Sequence, residues 1–388
     1  MDSKNRWTPP LAGIRVIEIS QNIAGPFAGA ILGSLGAEIV KVERPDGGDD
    51  ARKWGPPFIA DASPSFHAVN FGKSSVTVDL RTPEGIAWLR QAIRDADVLV
   101  HNMRPGAMEE LGLDGPAMLA ENPRLVYCAV TAYGDRGPMK DSTGYEQMVQ
   151  AFSGMWSING SHDGPPTRVG APVLDLGTGV WTALGCIAAL YRRQATGLGG
   201  MVNTSLVETS LGWMNGYYSQ FNATGKQPLR HRSGGPLLFI FEAFDTSDSE
   251  IVVGAANDRL YVKLVTELGH PEWATDERFS TYLNRIKHRE EVLEMLQSVF
   301  RTASTAEWKD RLEAIGVPCA PVNDFQSLRE SPQMSALEIF CKLPGLDHEV
   351  VGLPVSFDGI RPPIERATPV LGADNQRYGV PSAKDSKP

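Results

Sequence analysis

A chain of 388 residues with 42% hydrophobic and 21% charged side chains has the composition of a packed globular protein, long enough for one large domain and a smaller one. Its net charge of -9 excludes the basic stripe that a nucleic-acid partner needs. The opening MDSKNRWTPP has no apolar signal region, and the longest nearly apolar run, Gly179 to Tyr191, is short of a bilayer span. We therefore expect a soluble cytoplasmic protein without membrane partners.

In chain order, Gly13 to Ser20 reads as a buried strand, the small residues Gly25 to Leu35 as a tightly packed helix, and Glu38 to Val42 as a second strand. Pro83 to Arg94 reads as a helix, followed by strands at Asp97 to His101 and Leu125 to Thr131. Strands alternating with helices imply an α/β fold with a parallel sheet. Asp175 to Arg193 predicts a long apolar helix, and Leu206 to Phe221 a further helix after a short strand. The Gly-, Pro- and base-rich stretch Lys226 to Pro236 marks a domain change. Beyond it, strands at Leu237 to Ala243 and Glu250 to Gly254 and helices near Asp258 to Leu268, Arg289 to Phe300 and Thr305 to Ile315 predict a small α+β unit. The proline-rich chain from Val317 reads as a wrap returning to the first domain.

Cys128, Cys186, Cys319 and Cys341 lie far apart without paired spacing and read as reduced structural thiols. The seven histidines show no metal-ligand spacing, so no metal site is expected. GTGVWT misses the dinucleotide fingerprint, and the hydrolase elbow GxSxG is absent.

Asp175, in LDLGTG, stands at a helix start, where an aspartate is commonly an N-cap. Gly177 and Gly179 in the same first turns each cost about 1 kcal/mol relative to alanine, which points to a close approach by a ligand or another segment. A carboxylate there is held ionised by the helix dipole and can serve as nucleophile or general base. Tyr145 and Glu146 in TGYEQMVQ are a packing aromatic and a first-turn acid unless they stand beside Asp175.

The phrases PLAGIRVIEIS, AGPFAGAILGSLGAEIVKVERPDGGD, NFGKSSVTVDLRTPEG, NMRPGAMEELGL, TAYGDRGP, GYEQMVQAFSGM, DGPPTRVGAPVLDLGTG and GVPCAPVND occur in order to about Asn323. Together they resemble the class III CoA-transferases, a group that includes formyl-CoA:oxalate and carnitine CoA-transferases, with alpha-methylacyl-CoA racemases as relatives. The resemblance implies a Rossmann-like large domain over 1–227, a small domain over 228–324, and a segment over 325–388 returning to the large domain. It also implies an interlocked homodimer.

By the same resemblance, Asp175 is the nucleophile, with Tyr145 and Glu146 as catalytic companions. Arg44, Lys73, Asn102 and Met103 belong to the coenzyme A site, and Arg104 joins them on charge grounds. Ser233, Gly234 and Gly235 match the glycine loop that covers the aspartyl intermediate. No tightly bound cofactor is implied, since acyl-CoA is itself a substrate. The implied reaction moves CoA from a short acyl-CoA to a carboxylic acid through an acyl-aspartyl anhydride and an aspartyl-CoA thioester.

Ile23 stands where formyl-CoA transferases carry a glutamine, and Glu110 where they carry an arginine, which turns the expectation away from formate and oxalate. Tyr145 occupies the place of the racemase histidine, so transferase outranks isomerase. An acyl-CoA racemase and a non-catalytic CoA-binding protein stay open as alternatives.

Overall fold

The computed structural model describes residues 7–235 and 238–381. They form two compact units. The first runs to Ser153, takes in Val169–Asn215 and resumes at Ala336; the second combines Gly154–Arg168 with Gly216–Ser335.

The chain opens with β1 (Arg15–Ile19), α1 (Ala24–Ser34), β2 (Glu38–Glu43), α2 (Pro64–Asn70), β3 (Ser74–Thr77), α3 (Pro83–Arg94) and β4 (Val98–His101). There follow α4 (Ala107–Glu110), α5 (Gly115–Glu121), β5 (Val126–Thr131) and α6 (Glu146–Phe152). After α7 (Met155–Ile158) in the second unit come α8 (Val173–Thr196), β6 (Gly200–Ser205) and α9 (Leu206–Trp213). The six strands form one parallel sheet in the order β3-β2-β1-β4-β5-β6. This is an α/β fold whose strand order reverses direction between β1 and β4, the point where such sheets open a crevice at their carboxyl edge.

The pleat sends alternate residues to opposite faces. Ile17, Val40, Leu99 and Tyr127 pack on one side against Leu89 and Ile93 of α3 and Met118 of α5. On the other side Val16, Ile39, Val98, Val126 and Cys128 meet Leu32 of α1 and Ala183, Cys186 and Leu190 of α8. Three helices begin with a polar cap ahead of a proline in the first turn: Ser63 accepts the Phe66 N–H, Thr82 that of Gly85 and Asp114 that of Ala117.

The edge strand β3 is closed by the returning C-terminal segment. Asp374 Oδ2 accepts the Ser75 N–H at 2.9 Å and Asn375 Oδ1 the Thr77 N–H at 2.8 Å. Two side chains thus replace a neighbouring strand and remove an edge open to aggregation.

The run expected as one helix from Leu206 to Phe221 is two, because the backbone breaks at Met214 between α9 and α10 (Asn215–Thr224). The longer stretch of the second unit begins here, at Gly216, ahead of the Lys226 to Pro236 stretch. Helical periodicity reports which face is apolar, not which body buries it, and α10 buries none of its side chains. Pro236 and Leu237 of the expected boundary and strand lie outside the described residues, and the strand itself, β7, runs Phe241–Asp245.

β7, β8 (Glu250–Gly254) and β9 (Cys319–Pro321) form an antiparallel sheet in the second unit. Around it pack α11 (Asp258–Glu267), α13 (Arg289–Phe300) and α14 (Thr305–Ala314), with α12 (Tyr282–Lys287) beside them; Phe244, Ile251, Tyr261, Phe300 and Trp308 form the core. The chain goes on through α15 (Phe325–Glu330) and α16 (Pro332–Leu337) to the hairpin β10 (Phe340–Lys342) and β11 (Glu349–Val351).

Candidate active site

Both α1 and α8 serve as crossover helices of parallel strands, so both run against the strand direction and start at the carboxyl edge of the sheet. Asp175 lies in the first turn of α8, the third residue after its cap position at Pro172. It does not cap the helix. That role falls to Glu146 at the start of α6, whose Oε1 accepts the Leu174 N–H at 3.1 Å and the Gln150 Nε2–H at 2.8 Å. Gln150 in turn accepts the Val169 N–H at 3.0 Å, tying down the strand of chain that leads into α8.

Glu146 is buried and hydrogen-bonded to Asp175, so two carboxyls stand side by side. Burial, then the Glu146 charge and a hydrogen bond between the two groups, push the Asp175 carboxyl up to about 7. The helix dipole expected to hold Asp175 ionised is opposed here by loss of water and a like charge, which outweigh its contribution of about 0.3–1 kcal/mol at a helix end. A carboxyl poised near neutrality suits proton transfer or nucleophilic attack.

The glycines of LDLGTG are explained by helix packing. A Cβ on Gly177 would come within 2.7 Å of the Trp213 indole on α9, and one on Gly179 within 2.8 Å of the Ala24 carbonyl oxygen on α1. The close approach is by two neighbouring helices. Tyr145 occupies the N-cap position of α6 next to Glu146 and is 66% exposed.

A separate crevice of about 280 Å³ opens at the ends of β1, β2 and β3, lined by Ser20, Gln21, Glu43, Arg44, Gly48, Asp79, Arg81 and Met103 among others. Arg44 and Met103 from the sequence reading lie on it. Gln21 and Arg81 were not anticipated, since nothing in their spacing distinguishes them from ordinary surface residues. Asn102 is next to the crevice as a clamp: its Oδ1 accepts the Gln21 N–H at 2.9 Å and its Nδ2 donates to the Gln21 carbonyl at 2.8 Å. Arg104 is exposed and paired with Glu110 at 2.5 Å, so the two residues singled out separately neutralise each other.

Lys73 does not present a cation to solvent. It is 1% exposed, and its ammonium contacts Glu18 at 2.7 Å, the Pro26 carbonyl at 2.8 Å and Asn70 Oδ1 at 2.9 Å, which commits all three protons. Burial lowers it to about 8 in spite of the opposing Glu18 charge. Glu18 also pairs with buried Lys41 at 3.0 Å, and Lys41 with Asp49 at 2.9 Å, so Lys73 belongs to an ionic core beneath the crevice. Gly234 lies in the second unit, where a Cβ would collide with the Glu242 carboxylate; Ser233 Oγ accepts the Ala243 N–H at 2.8 Å, and the Gly235 carbonyl is 3.5 Å from Arg289.

Among the described residues, Val173–Thr196 is the one helix long and apolar enough to cross a membrane, and half of that stretch is buried inside the protein. No group of three or more metal-ligating side chains is found among them.

The family model described as CoA-transferase family III matches residues 11–375. The chain belongs to this family. It is 34% identical to the succinate–glutarate CoA-transferase of Agrobacterium fabrum, with 99% of this chain and 94% of that protein covered. It is 35% identical to the acetyl-CoA:oxalate CoA-transferase of Acetobacter aceti, with 97% of each covered. The crystal structure of a CaiB/BaiF family protein from Brucella suis superposes with a TM-score of 0.87 at 32% identity, covering 96% of this chain and 99% of that one. The family III CoA-transferase described here is thus an enzyme that transfers coenzyme A between acyl-CoA and carboxylic acids.

Proposed function

We propose that this CoA-transferase works through covalent catalysis on Asp175, and the observation that carries the reading is its half-buried carboxyl, poised near pH 7 beside Glu146. The ionised carboxylate adds to the thioester carbonyl of the donor and expels the CoA thiolate, leaving an acyl-aspartyl anhydride. The thiolate then attacks the aspartyl carbonyl, releasing the donor acid and forming an aspartyl-CoA thioester. The acceptor carboxylate reverses these two steps to leave as the new acyl-CoA. Glu146 holds the N-terminus of α8 and sets the ionisation of Asp175, and exposed Tyr145 faces the incoming acyl group.

Coenzyme A would occupy the crevice at the carboxyl edge of the sheet, with Arg44 and Arg81 as its cations and Met103 as an apolar wall. Holding the released thiolate there makes its return a local event. Short dicarboxylates such as succinate and glutarate are the acceptors we favour, because a similar enzyme is named for them. A homodimer is supported by an apolar face on α8 and α9. Val180, Leu184, Tyr191 and Leu211 are exposed there around Trp181 and Trp213, whose rings stand 5.5 Å apart.

The test is intact-mass measurement of the protein mixed with succinyl-, glutaryl-, oxalyl- and acetyl-CoA, with hydroxylamine trapping and peptide mapping. A CoA adduct or hydroxamate on Asp175 is expected. An unmodified chain that still turns over, or turnover retained in Asp175→Ala, refutes the covalent reading.

A further inference from the structure

β5 and α8 each bring one cysteine to the seam between them in the core of the first unit. Cys128 stands on β5 with Val100 of β4 on one side and Val202 of β6 on the other. Cys186 lies on the buried face of α8. Both side chains are 0% exposed, and their sulfurs are 2.9 Å apart. Around them are Val98, Val100, Val126, Ala183 and Leu190.

The helix has little freedom where it rests on the sheet. A Cβ on Gly185 would come within 2.6 Å of Val202 Cγ1, so the glycine next to Cys186 lies directly against the strand partner of Cys128. As packing alone, two small hydrophobes would fill the same space. What sets this pair apart is that the two reactive atoms face each other. Closing by less than about 1 Å brings them to the disulfide bond length of about 2.05 Å. The other two cysteines offer no such arrangement: Cys319 and Cys341 are half-buried, belong to different units, and set their sulfurs against the Lys309 and Ile339 carbonyls.

We propose that Cys128 and Cys186 are an oxidation site, converted by a hydroperoxide to an intramolecular disulfide that fastens α8, the helix bearing Asp175, to the inner strand β5. One thiol, as thiolate, attacks a peroxide oxygen. The O–O bond breaks, and the departing hydroxide takes up the thiol proton as water, leaving a sulfenic acid. The second sulfur then attacks the sulfenic sulfur, the S–O bond breaks, and a second water carries off the remaining proton. Two thiols lose two electrons and one hydrogen peroxide gains them.

Burial, then the neighbouring Cys186 sulfur, holds the Cys128 thiol well above its usual range. Attack is therefore confined to moments when α8 lifts from the sheet, and the same packing shuts the finished bond away from reducing thiols. The pair is a staple, slow to close and slow to open, rather than a rapid sensor.

The test uses the full chain carrying Cys319→Ser and Cys341→Ser, which leaves the buried pair as its only thiols. After native incubation with excess hydrogen peroxide and alkylation in denaturant, the intact mass should fall by two hydrogens with no alkyl group added. Peptide mapping without reductant should give a cross-linked peptide joining Cys128 to Cys186. The oxidised chain should melt about 5 °C higher, because the bond closes a loop of 58 residues in the unfolded state. It should also resist dithiothreitol until denaturant is added. Should the double variant fail to fold, the wild-type chain mapped in the same way answers the question. Full alkylation of both thiols after peroxide overturns the proposal, as does their loss to sulfinic acid without a cross-linked peptide. A cross-link that lowers Tm overturns it too, since the sulfurs would then not be set for the bond.

Discussion

Replacing Glu146 with glutamine tests the electrostatics of the carboxyl pair. In the wild type the Asp175 carboxyl lies at about 7, raised by burial and by the Glu146 charge and hydrogen bond. On the covalent reading proposed above the ionised form attacks, so kcat/KM should rise with pH through about 7 and level off near 8. One pH unit below the midpoint about a tenth of the enzyme is ionised, so the rate at pH 6 should be about tenfold below the plateau.

In Glu146→Gln the amide oxygen of the new side chain would still accept the Leu174 N–H, which preserves the helix start while removing the charge. Two unit charges about 4 Å apart interact by roughly 4 kcal/mol at an effective dielectric of 20. Even a third of that corresponds to about one pH unit. The midpoint of Glu146→Gln should therefore fall by about one unit or more, with residual elevation from burial. The assay is kcat/KM for succinyl-CoA and glutarate from pH 5 to 8.5, read by chromatography of the acyl-CoA products. Ionisation of the substrates is common to both enzymes, so it cancels in the difference. An unchanged midpoint in Glu146→Gln refutes the pairing of these two groups.

Asp175→Asn should stabilise the protein. The folded carboxyl holds its proton up to about 7 while the unfolded one releases it near 3.8, so wild-type stability falls as pH rises between those values. The gap in unfolding free energy in favour of the variant should open from pH 4 to 7 and stay constant above, at ~2 kcal/mol after allowing for partial exposure; a gap that closes on raising the pH contradicts the sign. Lys73→Met leaves Glu18 with one partner fewer in a buried site and should cost about 3–5 kcal/mol. Arg44→Ala should instead weaken CoA binding, measured by calorimetry, and leave Tm unchanged. Reversed outcomes would return Lys73 to the ligand site. Trp181→Arg should convert a dimer to a monomer in light scattering; an unchanged mass rejects the α8–α9 face as the subunit contact.

Much of the fold is legible in the sequence because the sheet is buried on both faces. Apolar runs such as RVIEI and VLVH have no other stable role in this context. The short β3 escapes notice because Ser74, Ser75 and Thr77 are polar; their partners are Glu43 and the tail residues Asp374 and Asn375, some 300 positions away. Lys73 misleads for a related reason. A lysine after a loop looks solvated until Glu18, Pro26 and Asn70 converge on it, and that convergence exists only in three dimensions. Distance along the chain deceives for the cysteines too: Cys128 and Cys186, 58 residues apart, have their sulfurs at 2.9 Å within the core.

What places Asp175 is the absence of side chains beside it. A glycine at 177 admits the Trp213 indole and one at 179 admits the Ala24 carbonyl, so α8 is seated between α9 and α1 at a fixed depth. Alanine at either site would gain about 1 kcal/mol in helix propensity and lose about 1–3 kcal/mol to overpacking. The two outcomes should differ. The indole facing Gly177 is a side chain that can tilt, whereas the carbonyl facing Gly179 is backbone at the very start of α1 and has to move with that helix. Gly179→Ala should therefore destabilise more and, by shifting α8 against α1, reduce kcat beyond what its loss of Tm explains; Gly177→Ala should keep most of its kcat. Equal losses in both variants would mean that the depth of α8 matters for stability alone, and that Asp175 is positioned by Glu146 without help from α1.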